Sequence, residues 1–120
     1  MTERDFRKLA LTLEGVAEGA HMGHADFRAH GRIFASLRGE PVAFGALMLT
    51  SEQQQDFIAR SDAFTPESGA RGRSGWTRVQ LTAVDGETLG EALTLAWQHA
   101  AAKAASPPSR RSARKKVTTR

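Results

Sequence analysis

Apolar and polar side chains alternate along residues 25–49, and this pattern limits the possible folds more than any other feature of the chain. It contains three short segments of β type, at residues 25–30, 32–38 and 42–49, separated by Gly31 and by a break at residues 39–41. Alternation with a period of two is typical of strands with one buried face, and short connections favour antiparallel neighbours. The sequence therefore predicts an antiparallel meander.

Helical patterns flank this meander. Thr2 is placed to cap a first helix with apolar residues at helical spacing, and Gly15 is placed to end it. Asp85 is placed to cap a last helix that carries one apolar stripe. The stripes contain Phe6, Leu9, Ala10 and Leu13 in the first helix, and Leu89, Ala92, Leu93, Ala96, Trp97 and Ala100 in the last.

The segment between the meander and the last helix contains three further features. Ser51 and Gln54 have the spacing of a capping box, which predicts a helix to about residue 60. A glycine-rich stretch at residues 65–75 predicts a loop, and residues 76–81 predict another strand. The order is typical of an α/β (α+β two-layer) fold, with an antiparallel sheet of about four or more strands and helices packed on one face.

The positive charge of the chain is confined to its end. With 120 residues and 40% apolar composition, the chain can close one hydrophobic core but hardly two. Residues 1–105 carry 11 basic and 13 acidic side chains, a net charge of −2, whereas residues 106–120 carry six basic side chains and no acid. The tail also contains two prolines and few apolar residues. We therefore predict one domain at residues 1–105 and a disordered basic tail at residues 106–120.

The absence of cysteine removes disulfides, thiolate metal sites and cysteine nucleophiles from consideration. Residues 1–8 are charged where a secretory signal is apolar, and the longest charge-free apolar run, at residues 41–49, is too short to cross a bilayer. We expect a soluble cytoplasmic protein without a membrane partner. The oligomeric state stays open, with a monomer favoured.

Strict alternation divides the strand side chains between two faces. The face expected to contact the helices collects Phe27, Ala29, Ile33, Ala35, Leu37, Leu47, Leu49, Val79 and Leu81. The opposite face collects Asp26, Arg28, His30, Arg32, Phe34, Ser36, Arg38, Phe44, Met48, Trp76, Arg78 and Gln80. Arginines mixed with aromatic rings offer guanidinium groups to phosphates and flat surfaces to bases. An ordinary solvated outer face is the alternative, because exposed arginines are common.

Several motifs together resemble the MmcQ/YjbR family, over about residues 4–103. They lie at residues 13–16, 21–24, 27–28, 31–35, 47–53 and 72–77. The resemblance implies a frataxin-like (CyaY-like) fold with helices against an antiparallel sheet, and it suggests DNA binding. By this likeness, the motif positions include Arg28, Arg32, Arg73 and Trp76.

The chain departs from the family pattern at three places. Met48 occupies a position where a lysine is usual, and Arg71 or Ala70 replaces an aromatic residue before the Gly72-Arg73 pair. Ser74 replaces a frequent histidine, so no role for a titrating group is transferred to that position.

A metal site is one alternative for the first part of the meander. His21, His24 and Asp26 are of the types that bind zinc or iron, and His30 or His99 would have to supply a third strong ligand. The resemblance accounts for His21 and His24 without a metal, so hydrogen bonding within a loop is the preferred interpretation. His99, near the end of the last helix, is expected to be structural. We expect neither a metal nor a cofactor.

The sequence lacks the signatures of frataxin-type iron binding and of two kinds of catalytic or nucleotide-binding site. The first helix carries Arg4, Arg7 and Lys8 among its acids, unlike the acidic ridge associated with iron in frataxin-type proteins. Residues 72–75 lack the full spacing of a hydrolase nucleophile elbow, and residues 69–75 lack the lysine and following helix of a P-loop. We expect a binding protein and no enzyme.

Two functions remain open. The first is nucleic-acid binding, with DNA as the expected partner, through Arg28, Arg32, Phe34, Arg38, Arg71, Arg73, Trp76 and Arg78 on the domain and Arg110, Arg111, Arg114, Lys115 and Lys116 on the tail. The second is a protein-interaction or small-ligand module that uses the apolar part of the same face, at Phe34, Phe44, Met48 and Trp76.

Overall fold

Three helices pack against the same side of one sheet in the computed structural model of the chain. The structure describes residues 1–21, 23–38 and 43–105. In chain order, its elements are α1 (Glu3–Leu11), β1 (Ala17–His21), β2 (His24–Ala29), β3 (Arg32–Arg38), β4 (Phe44–Met48), α2 (Ser51–Arg60), β5 (Phe64–Pro66), α3 (Gly69–Arg73), β6 (Trp76–Gln80) and α4 (Gly86–Ala105).

The six strands form a single antiparallel sheet in the order β1-β2-β3-β4-β6-β5. This confirms the predicted α+β class and the antiparallel sheet. The prediction missed β1, β5 and α3, and it treated residues 65–75 as loop. The missed elements have weak local signals, because β1 contains alanine, glycine and glutamate rather than β-branched residues, and α3 is five residues long with two glycines.

The hydrophobic core lies between the sheet and helices α1, α2 and α4. Phe6 and Phe27 pack with ring centroids 5.8 Å apart, and Phe57 and Phe64 pack at 5.0 Å. These rings join α1 to β2 and α2 to β5. The predicted helix stripes supply much of the buried surface, including Phe6, Ala10, Leu89, Ala92, Leu93, Ala96 and Ala100.

A bulge in β3 changes which of its side chains contact the helices. Phe27 pairs with Ala35 and the next residue, Arg28, pairs with Ile33, so Phe34 has no pairing partner in β2. Phe34 is completely buried in the core, whereas Ile33 is half-buried. The predicted facing of Ile33 and Phe34 is therefore wrong, because strict alternation does not hold across an extra residue.

The helix starts agree with the sequence at two of three positions. Thr2 forms a capping box with Asp5, and the Thr88 backbone N–H donates to Asp85 Oδ1 at 2.7 Å. The predicted box of Ser51 and Gln54 is wrong by one residue, since Thr50 caps α2 with Gln53. This shift leaves Gln54 available for another role. The first helix ends at Leu11, before the predicted Gly15.

Gly75 is required where α3 joins β6. Its φ is +116°, and an added Cβ would overlap the carbonyl oxygen of Leu49. We expect Gly75→Ala to lower the free energy of unfolding by about 1–3 kcal/mol, measured by urea denaturation. Gly90→Ala is the matched control, because it lies inside α4 with nothing near the added Cβ. It should raise stability by about 0.5–1 kcal/mol. Equal effects at both glycines would contradict this account of Gly75.

The stability of the fold is expected to depend on pH through Asp85. Hydrogen bonds from the Thr88 backbone, followed by the Thr88 side chain, lower the pKa of Asp85 below its ordinary value. A lowered folded-state pKa contributes stability that is fully present above the unfolded pKa of about 3.9 and is lost as pH falls through the folded value. Asp85→Ala should therefore lower Tm at pH 7, and its difference from wild type should shrink below about pH 4. A difference that stays constant down to pH 2 would contradict this role.

Candidate nucleic-acid interface

The sheet face opposite the helices, here called the open face, is organised in cross-strand rows. The middle row follows the pairing Asp26 to Ser36, Ser36 to Ala46 and Ala46 to Arg78. One flanking row contains Arg38, Phe44 and Gln80, and the other contains the pairs Arg28 with Ile33 and Met48 with Trp76. The pairing thus brings side chains from β2, β3, β4 and β6 to a common surface.

A cavity of about 330 Å³ opens on this face and is here called the open-face cavity. Ser36 is short and lies between Ile33 and Arg38 along β3, which leaves a depression between the two longer side chains. The β3 bulge contributes to this shape, since it places Ile33 on the open face and Phe34 in the core. The lining residues are His24, Ala25, Asp26, Ile33, Ser36, Arg38, Arg71 and Trp76.

Two buried polar atoms, in side chains that line the open-face cavity, have no hydrogen-bond partner among the described residues. They are Ser36 Oγ and Arg38 Nε, and both atoms are buried. Buried polar groups in folded proteins are nearly always paired, because an unpaired one costs about 1–3 kcal/mol. A polar group from outside the described residues, either a water molecule or a ligand, would satisfy these two atoms.

Arg71 and Trp76 form the aromatic wall of the cavity. The Arg71 guanidinium carbon lies 4.5 Å from the Trp76 ring centroid, within range of a cation–π contact. Arg71 comes from α3 and Trp76 begins β6. A cation and a ring from neighbouring elements therefore form one pair whose guanidinium is exposed to solvent.

Gln54 links α2 to the segment that carries this pair. Its side chain is buried, and Nε2 lies 3.0 Å from the Gly72 carbonyl oxygen, 3.1 Å from that of Trp76 and 3.1 Å from Thr77 Oγ1. An added Cβ at Gly72 would overlap the backbone of Glu67, which keeps α3 close to the chain before it. These contacts orient Arg71 and Trp76 from beneath. The sequence prediction missed this role, since it used Gln54 as a capping residue.

Asp26 and Arg28 form an ion pair beside the cavity. Asp26 is 2% exposed, and its two carboxylate oxygens accept from Arg28 Nε at 2.9 Å and Nη2 at 3.2 Å. The hydrogen bond with Asp26 and its charge raise the pKa of Arg28 above its ordinary value. Arg28 therefore neutralises a buried acid on the open face, and two of its donor groups are already occupied.

Arg78 is also held by a ring. Its guanidinium carbon lies 3.8 Å from the centroid of Phe44, whose side chain is 9% exposed. Arg78 consequently lies over the flanking row and lines a separate depression at the β5 edge of the sheet, together with Asp62 and Gln80.

A second cavity of about 330 Å³ adjoins the open-face cavity at Ile33, which lines both. Its cationic groups are Arg28, Arg32 and Lys103, and no acidic residue lines it. His99 also lines it, with Nδ1 3.2 Å from the Met48 carbonyl oxygen. Lys103 lies near the end of α4, and residues 106–120 follow this helix in the sequence.

Comparison with known proteins supplies the family. A family model described as YjbR matches residues 11–99. The chain belongs to the YjbR family. No curated protein matches it. Two crystal structures are similar to it in fold. One, from Deinococcus radiodurans with a DUF419 domain, has 19% identity and a TM-score of 0.75, covering 92% of this chain and 86% of that one. The other, from Pseudomonas syringae, has 14% identity and a TM-score of 0.67, covering 83% and 99%.

The structure of this YjbR domain brings together some of the predicted site residues and separates others. Arg38, Arg71 and Trp76 line the open-face cavity, and Arg28 and Arg32 line the second one. Arg32 pairs with Ala29, whose side chain is buried on the helix side, so the prediction that Arg32 shares a face with Arg38 is wrong.

The remaining predicted site residues do not line either cavity within the described structure, for three different reasons. Phe34 is 0% exposed and cannot stack on a base, so its assignment to the site is wrong. Arg73 is exposed in the last turn of α3 and lines neither cavity. The tail residues Arg110, Arg111, Arg114, Lys115 and Lys116 lie outside the described residues.

Other site residues were absent from the predicted set. Ser36 and His24 line the open-face cavity, and His99 and Lys103 line the second one. Alternation already placed Ser36 on the open face, but no pattern in the sequence marks its hydroxyl as unpaired. Lys103 is close to β3 only because α4 packs across the sheet.

Within residues 1–21, 23–38 and 43–105, no group of three His, Asp or Glu side chains has the arrangement of a metal site. In the same residues, no helix combines the length and apolar character needed to cross a membrane.

Replacing Arg28 should test its structural role. We expect Arg28→Ala to lower Tm by several degrees, because it leaves the buried carboxylate of Asp26 without its partner. Arg32→Ala is the matched control, since it removes the same group from an exposed position with no ion pair among the described residues. Thermal melts of both variants provide the measurement. If the two variants melt together, Asp26 does not depend on Arg28.

Proposed function

We propose that this YjbR-family protein binds nucleic acid through its open face. The observation that carries the proposal is that Ser36, Arg38 and Trp76 line one cavity, and that Arg38 Nε and Ser36 Oγ have no partner among the described residues. A phosphate accepts hydrogen bonds from both donors, and a base has a flat surface for the ring. Each nucleotide of a nucleic acid carries a phosphate and a base close together, so one ligand supplies both groups.

The second cavity adjoins the open-face cavity at Ile33 and continues to residues of α4. It adds Arg32 and Lys103, which favour a further phosphate because no acid lines the cavity. The six cations of residues 106–120 follow α4 directly and add a sequence-independent attraction. The domain itself has a net charge of −2, so binding depends on local charge rather than on total charge.

The proposed role is binding without chemical change of the nucleic acid. Ser36 and Arg38 offer hydrogen-bond donors to an anion, and the acid of the open-face cavity, Asp26, is already held by Arg28.

The concave shape of the open-face cavity also favours a second candidate, a small-ligand module. Ala25, Ile33 and Trp76 supply apolar lining beside the polar groups, as in many ligand pockets. The apolar set expected from the sequence is smaller in the structure, since Phe34 is in the core and Arg78 covers Phe44. Such a ligand would stay bound in high salt, whereas nucleic acid would dissociate.

A salt titration of duplex DNA binding tests the proposal and separates the tail from the domain. If all six tail cations contact phosphates, residues 1–120 should show a log–log salt slope steeper by about 5 than residues 1–105, at about 0.9 per contact. Residues 1–105 should retain weaker, salt-dependent binding. Loss of all binding on truncation would assign the activity to the tail alone, and absence of binding by residues 1–120 at low salt would refute the proposed function.

A further inference from the structure

We propose that the open-face cavity holds one unpaired nucleotide, with its phosphate on Ser36 and Arg38 and its base against the Trp76 wall. The protein then prefers single-stranded nucleic acid to duplex. This inference rests on the proposed function and specifies the form of nucleic acid that the open face recognises.

The size of the cavity favours a single nucleotide. Its volume of about 330 Å³ lies at the lower end of the range of roughly 300–1,000 Å³ for small-molecule pockets. A base in a duplex is stacked on both faces and paired along one edge, so it places its ring in a concave site only after it is extruded, at a cost of a few kcal/mol. An unpaired nucleotide does not incur this cost. A concave site therefore discriminates between the two forms, which a flat basic surface does not.

The chemistry of the cavity favours an anion beside a flat ring. Arg38 Nε is a charged donor and Ser36 Oγ is a neutral donor, and neither has a partner among the described residues. The two residues are two positions apart on β3, on the same face, so both can approach one phosphate. A charge-assisted hydrogen bond to phosphate is stronger than a neutral one, which makes Arg38 the larger contributor.

Trp76 supplies the surface for the base. In the structure, Arg71 stacks on its ring at 4.5 Å, and Arg71 is exposed at the outer side of the wall. Arg71 thereby completes a layered arrangement of cation and ring to which a base adds at an accessible edge or face. Arg32 and Lys103 line the adjoining second cavity. They provide a place for the next phosphate along the bound nucleic-acid strand.

The decisive residue is Ser36, because its hydroxyl makes no hydrogen bond within the described protein. Removing an unpaired buried hydroxyl should leave stability unchanged or increase it. Removing a ligand contact should weaken binding. Ser36→Ala therefore separates a binding role from a structural one, and Arg38→Ala tests the charged contact beside it. The matched control is Arg4→Ala, which removes an exposed arginine from α1 on the helix side of the sheet.

The experiment measures fluorescence anisotropy of the full chain with a labelled thymidine oligonucleotide of about ten nucleotides and with a duplex of equal length. We expect tighter binding of the single strand. Arg38→Ala should weaken it at least about tenfold and Ser36→Ala about threefold to tenfold. Arg4→Ala should change it less than about twofold. Thermal melts of Ser36→Ala should match or exceed wild type. Thymidine monophosphate should displace the strand where thymidine does not.

Failure of the inference differs from failure of the proposed function. Equal affinity for both forms, with Ser36→Ala and Arg38→Ala unchanged, would overturn the single-nucleotide site while nucleic-acid binding persists. Displacement by thymidine as efficient as by its monophosphate would overturn the assignment of phosphate to Ser36 and Arg38. No binding of either form at low salt would remove the proposed function and the inference with it.

Discussion

The one-sided placement of the helices governs the rest of the structure. Helices α1, α2 and α4 bury the large apolar side chains on one face of the sheet, so the other face has to be completed by side chains alone. It is completed by paired groups: Arg78 on Phe44, Arg71 on Trp76, and Arg28 on Asp26. Each pair places a cation beside a ring or a buried acid and leaves that cation at the surface. The same contacts therefore stabilise the open face and give it positive groups.

The sequence predicts the fold well because its strongest patterns are local. Helix stripes and strand alternation identify the core residues of α1, α4 and β2, and Thr2 and Asp85 mark helix starts. The errors arise where tertiary contacts override local rules. Phe34 enters the core through a bulge, which no propensity of the segment indicates. The five-residue helix α3 depends on Gln54 and on close backbone packing at Gly72, and neither contact is visible in a linear pattern.

The sequence predicted which types of residue the candidate site contains, but it did not predict the contacts that these residues make. Arginines and Trp76 on one face follow from alternation, and the family resemblance points to the same positions. The different contacts that the individual arginines make do not follow from alternation. Arg28 is committed to a buried acid, Arg78 to a ring, and Arg38 alone of these three has a buried donor without a partner in the described protein. The proposed function is therefore assigned to the place where the two buried polar atoms, Arg38 Nε and Ser36 Oγ, lack a partner among the described residues.

Two tryptophans on opposite sides of the sheet allow the central claim to be tested directly. Trp76 lies on the open face, whereas Trp97 lies on α4 and donates from Nε1 to the Glu14 carbonyl oxygen at 2.9 Å. The measurement is an NMR titration with single-stranded DNA that follows the two indole N–H signals. We predict a progressive, saturable shift of the Trp76 signal with little change at Trp97. A shift of Trp97 alone, or of neither signal while DNA is bound, would contradict recognition by the open face.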